Sequence, residues 1–125
     1  MNELQIKPLQ IDGNVWRWQL LSSYEFSVNG RTHTIPPGFT WDGASKPLSK
    51  RAFLCLSASH WALVMPSMVH DFICDNRGYF AKAGVSSVMA AELFNVQCKL
   101  GMSTWEAYKL WKAVSLFGPK WKADD

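Results

Sequence analysis

The stretch MVHDFICDNRGYF, residues 68–80, sets His70 and Asp71 side by side within an apolar run, with Cys74 and Asp75 one helical turn further on. Successive helical residues stand about 100° apart, while residues i and i+4 lie almost in line. On a helix over about residues 66–76, His70 therefore aligns with Ser67 and Cys74, and Asp71 aligns with Asp75. Both pairs flank a core stripe of Met65, Val69, Phe72 and Ile73. Ligand pairs at i, i+4 suit a metal ion, and an imidazole beside a carboxylate suits a general base acting on water. The same residues also suit a purely structural role, in which the histidine satisfies a backbone group and the aspartate caps a loop.

A second polar stretch lies about thirty residues upstream, IPPGFTWDGAS at 35–45. There Asp42 can accept hydrogen bonds from downstream N–H groups, Gly43 allows close backbone approach, and Ser45 can cap a following helix. If the two stretches converge, Asp42, His70 and Asp71 share one site, with His70 as base and Asp71 as ligand or orienting acid. Asp42, Asp71 and Asp75 would then be the donors for a divalent ion, the one cofactor that this reading calls for.

The pairing of PPGFTWDGAS with VHDFIC resembles a family of small proteins of tailed bacteriophages and prophages, with the signature PxGFxTDGAS followed by VHDxLY. The resemblance spans roughly residues 35–121 and rests on Pro37, Gly38, Phe39, Asp42, Gly43, Ala44, Ser45, Val69, His70, Asp71, Phe94 and Gly118. It implies a phage setting and no particular reaction. Trp41 stands where the family tends to have threonine, Cys74 where it has tyrosine, and Ala91 where an aspartate is expected. That aspartate would orient the imidazole or complete a coordination sphere. The string HDF also resembles the catalytic helix of phospholipase A2 enzymes, in which the histidine activates water and the aspartate binds calcium; that family's disulfides have no counterpart here.

The elements that position these residues divide the chain in two. Residues 1–40 read mainly as strands: LQIKPLQI alternates and carries Pro8, which belongs on a sheet edge, and Asp12-Gly13-Asn14 marks a turn before VWRWQLL. Asn29-Gly30 supplies the two positive-φ positions of a type I′ turn between YEFSV and RTHTI. Residues 41–50 belong to a proline- and glycine-rich loop without regular structure. Residues 51–121 read as helical, with Pro66 marking where a helix starts or restarts. Ser86 or Ser87 caps a helix whose buried face is Val88, Ala91, Phe94 or Asn95, and Cys98, with Gly101 as its C′ stop. Ser103 and Glu106 form a capping box for a last helix that buries Ala107, Leu110, Trp111, Val114 and Phe117 and ends at Gly118-Pro119. Strands followed by helices imply one α+β domain over 1–125, an N-terminal antiparallel β-hairpin or meander followed by three or four packed helices.

Composition narrows the function classes. With 48% hydrophobic and 18% charged residues the chain can build a core and is not a disordered segment. The net charge of +3 comes from scattered residues and lysines near the end (Lys109, Lys112, Lys120, Lys122), short of the dense basic stripe of a nucleic-acid protein. Neither a signal peptide nor an apolar run of membrane-spanning length is visible, which places the protein in a host cytoplasm or a virion. Three cysteines, Cys55, Cys74 and Cys98, without a CxxC pair argue for free thiols. Seven tryptophans are many for a chain of 125 residues, and Trp41, Ser45, Trp61, Tyr79, Trp105 and Trp111 are the expected contact surface. Three roles follow: a phage accessory or virion protein that binds a phage structural or host protein, with a structural Asp/His/Asp site; a small metal-assisted hydrolase, phospholipase A2-like or acting on the cell envelope; and an inhibitor of a host defence or regulatory protein. The missing acid at Ala91 favours the non-catalytic reading.

Overall fold

The structure, a computed structural model, describes residues 4–11, 15–41 and 60–124, with the side chains of residues 10, 11, 15, 16, 60 and 61 outside the description. The turn expected at 12–14, the loop at 42–50 and the helical reading of 51–59 lie outside the described residues.

Strand β1 (Ile6–Ile11) pairs antiparallel with β2 (Val15–Leu20) in a register running from Ile6↔Leu20 to Ile11↔Val15. Pro8 donates no ladder bond, and β1 is indeed at the edge of the order β1-β2-β5. Strands β3 (Tyr24–Val28) and β4 (Arg31–Ile35) form a second antiparallel pair. Their turn has Asn29 at φ 53° and Gly30 at φ 76°, as a type I′ turn requires. Asn29 donates from its side chain to the carbonyls of Ala83 and Gly84, which docks the hairpin tip onto the helical half.

At Trp41 the chain departs from the expectation of an irregular loop over 41–50. Pro37 at the second turn position and Gly38 at φ 93° at the third form a tight reversal, with the Phe39 N–H donating to the Pro36 carbonyl. The chain then returns as β5 (Thr40–Trp41), antiparallel to β2 with Trp18 opposite Trp41. Non-local pairing with β2 decides this, which no local pattern announces.

Four helices follow among the described residues: α1 (His60–Asp75), α2 (Arg77–Lys82), α3 (Ser87–Cys98) and α4 (Thr104–Phe117). The architecture is thus α+β. Pro66 neither starts nor restarts a helix; it lies inside α1 as its seventh residue. A proline there denies the Ala62 carbonyl its usual helical donor, and burial of the surrounding side chains compensates. Ser86 caps α3 by accepting from the Met89 N–H, and Ser103 and Glu106 form the reciprocal capping box of α4. Gly101 is not a positive-φ stop. It permits close approach, since a methyl group there would stand 2.7 Å from the Ala62 Cβ.

Two cores share α1. The larger gathers Leu20, Phe26, Ile35 and Trp41 from the strands with Met68, Val69, Ile73, Phe80 and Val85; the smaller joins Leu63 to Phe94, Cys98, Ala107 and Leu110. Two residues expected on buried faces are instead exposed, Val88 and Phe117. Past α4 the tail is pinned: the Trp121 indole donates to the Val85 carbonyl, and its backbone exchanges hydrogen bonds with Ser87.

Trp41, expected on the contact surface, is only 1% exposed and belongs to the core. Removing a fully buried ring loses its transfer free energy and leaves a cavity. Trp41→Ala should therefore lower the unfolding free energy by about 3–5 kcal/mol in urea denaturation.

Candidate functional site

Helix α1 carries His70 further inward than the flank of the core stripe where its spacing puts it, and the residue is 8% exposed. The contacts that enclose it come from three elements. Phe94 on α3 meets it edge to face at a centroid distance of 5.5 Å. Cys74 Sγ lies 3.7 Å from Nδ1 and 3.8 Å from Nε2, one helical turn away as the i, i+4 alignment requires. A methyl group at Gly118 would stand 2.5 Å from the Val114 carbonyl oxygen, which keeps the position glycine, and 3.9 Å from His70 Cε1, an ordinary contact that places the end of α4 beside the ring. Three positions that carry the sequence signature, His70, Phe94 and Gly118, are thus neighbours in space.

Burial pushes the His70 imidazole down to about 4, so the ring is neutral at neutral pH. The Cys74 thiol is pushed up to about 12, first by burial and then by the negative charges of Asp71 and Asp75. Burial likewise raises Cys98 to about 12. Both remain thiols, which removes the thiolate that cysteine chemistry needs. Ser67, in line with His70, is buried and donates to the Val64 carbonyl of its own helix.

The carboxylates are placed differently. Asp71 is half-buried and Asp75 is exposed, both within electrostatic range of Cys74. Asp42 and Ser45 lie outside the described residues, as does the side chain of Trp61. The stretch leading to Asp42 nevertheless reaches the His-Asp helix: Phe39 stacks on Trp41 and meets Phe72 edge to face at 5.4 Å. Among the described residues no group of three or more His, Cys, Asp and Glu could hold a metal ion. The expected donor set is there reduced to two carboxylates on one helix, one of them in solvent.

Of the expected contact residues, Tyr79 and Trp105 are exposed and Trp111 is half-buried. Tyr108, absent from the sequence reading, joins the two tryptophans. Its ring stacks on Trp105 at 5.8 Å and meets Trp111 at 5.8 Å, and the i, i+3, i+6 spacing was visible in the sequence. Lys109 stands over Trp105 and Lys112 over Tyr108. The result is a ladder of three rings with two ammonium groups along the outer face of α4. Among the described residues no helix is long and apolar enough to cross a membrane.

One family model matches, described as a protein of unknown function (DUF1353), over residues 18–114. Comparison with curated proteins and with solved structures returned no match.

The depressed His70 value sets a pH dependence. Above about pH 6.5 the ring is neutral whether folded or unfolded, and between pH 6.5 and 4 only the unfolded chain takes up the proton. Stability is therefore full above this window and falls as pH falls through it, by about 3 kcal/mol in all from this group. His70→Phe should flatten the dependence between pH 6.5 and 4, measured by urea unfolding at a series of pH values.

Proposed function

We propose that this chain, which belongs to the DUF1353 family, is a protein-binding module of the tailed-phage accessory or virion kind. It would grip an acidic surface of a phage structural protein or a host protein with the outer face of α4. The observation that carries this reading is the Trp105–Tyr108–Trp111 ladder with Lys109 and Lys112 over its rings. Trp105 is 64% exposed, and Leu116 and Phe117 extend apolar surface toward the end of the same helix. Aromatic and cation–π contacts in water return only about 0.5–1.5 kcal/mol each, so the exposed rings contribute little to folding. Exposed aromatic area of this kind is what hot spots of interfaces are made of. The lysines add a positive field that selects an acidic partner and accelerates encounter.

The His70 site fits the same role as a structural knot. A general base must reach the proton that it abstracts, whereas His70 is enclosed by Phe94, Cys74 and the Gly118 backbone. Its neutral ring joins α1, α3 and the end of α4.

Affinity capture from phage-infected cells, with the retained protein identified by mass spectrometry, tests the proposal. Trp105→Ala should weaken that partner's binding by about 30-fold, the scale of a hot-spot residue, while changing stability by less than about 0.5 kcal/mol, as for an exposed site. Lys109→Glu with Lys112→Glu should slow association and reduce its salt dependence. Hydrogen exchange should show protection of residues 104–117 on binding; protection confined to other elements would refute the reading.

A further inference from the structure

The two-residue type I′ turn of the β3–β4 hairpin makes Val28 and Arg31 its first hydrogen-bonded pair, and such pairs then recur at every second position. Arg31, His33 and Ile35 therefore turn their backbone groups toward β3. Thr32 and Thr34 turn theirs the opposite way, out of a sheet that has only two strands. Those outward N–H and C=O groups make no backbone hydrogen bond among the described residues.

A cleft of about 310 Å³ lies along this edge. Thr32 and Thr34 point their side chains to one face of the hairpin and His33 to the other, yet all three line the cleft, which is possible only where it runs beside the strand. Across it stand Phe72 of α1, Asn76 at the α1–α2 corner and Tyr79 of α2. His33 and the fully buried Phe80 close the floor, whereas Tyr79 is 62% exposed and offers its ring to the cleft.

We infer that the free edge of β4 docks an extended segment of a partner protein, added antiparallel as a third strand beside the hairpin. A row of unpaired N–H and C=O groups is matched by another extended backbone. The segment's residues opposite Thr32 and Thr34 each donate one backbone hydrogen bond and accept one. The residue between them, opposite His33, points into the cleft against Phe72 and Tyr79, which calls for an apolar side chain of about leucine size. Two residues past this anchor the segment passes Arg31, which is exposed and has no ionic partner among the described residues, so an acidic residue fits there. A second copy lacks that match, since pairing β4 with its own image about His33 sets Arg31 against Ile35. This site stands apart from the α4 reading, since it uses neither that helix nor its lysines.

The probe is a synthetic heptapeptide, acetyl-Thr-Val-Thr-Leu-Thr-Asp-Thr-amide, titrated into isotopically labelled protein and followed by NMR. In the free protein the amides of Thr32 and Thr34 should exchange with solvent faster than those of His33 and Ile35, and the peptide should shift and protect them. N-methylation of the two threonines that flank the leucine removes their donors and should weaken binding about 10-fold or more. Tyr79→Ala, at an exposed position, should weaken it about 5-fold. A peptide with lysine in place of the aspartate should bind Arg31→Glu protein better than the native chain. Thr32 and Thr34 amides already protected in the free protein, no shift of these amides with millimolar peptide, or equal binding of the N-methylated peptide would overturn the inference. Shifts of the same amides on diluting the protein alone would make a second copy the occupant and overturn it as well.

Discussion

Helix α1 is buried on almost every side, and this constraint organises the molecule. Between Ala62 and Cys74 no side chain is fully exposed, and those from Pro66 to His70 are buried without interruption. A helix apolar around its whole circumference has to be covered all round. The strands cover one side through Leu20, Ile35 and Trp41, and α3 and α4 cover the other through Phe94 and Leu110. Pro66 and the close approach of Gly101 to Ala62 are tolerable here because tertiary packing, more than the helical hydrogen-bond ladder, holds α1 in place.

Full burial also dictates the state of the polar groups that α1 carries. His70 has an imidazole that loses its charge and is met by a ring, a thiol and a glycine backbone. Cys74 keeps its proton for the same reason, reinforced by two neighbouring carboxylates. Chemistry at a dyad requires access as well as proximity, and His70 is only 8% exposed. Asp75, at the last position of the helix, is the residue that escapes into solvent.

The periphery is free of that constraint. Helix α4 is secured by its capping box, by Ala107 and Leu110, and by a tail whose Trp121 is fastened to Val85 and Ser87. With so narrow an inner face, its remaining circumference is open, and rings and lysines stand there together. The hairpin is fixed differently, by Asn29 at its tip, and so it overhangs the α1–α2 corner and leaves a cleft beneath His33.

Features governed by a few adjacent residues were legible in the sequence. The Asn29-Gly30 turn, a cap at Ser86 or Ser87 (the structure uses Ser86), the Ser103–Glu106 box and the edge position of Pro8 depend on local φ, on a side chain within three residues or on a missing N–H, and each is present. Helical periodicity placed His70 in line with Cys74 at the flank of the core stripe, and its burial came from packing. What the tertiary structure alone decided depends on partners distant in the chain. Pairing with β2 made a strand of Thr40–Trp41 and drew Trp41 into the core, and packing on all sides carried α1 through Pro66. Val88 and Phe117 are apolar residues at helical spacing, yet no neighbour covers them, because a stripe records which residues can be buried and only the packed elements settle which are. His33 shows the same limit: its inward register was readable from the alternation of β4, but the cleft beside it exists only once α2 stands against the hairpin.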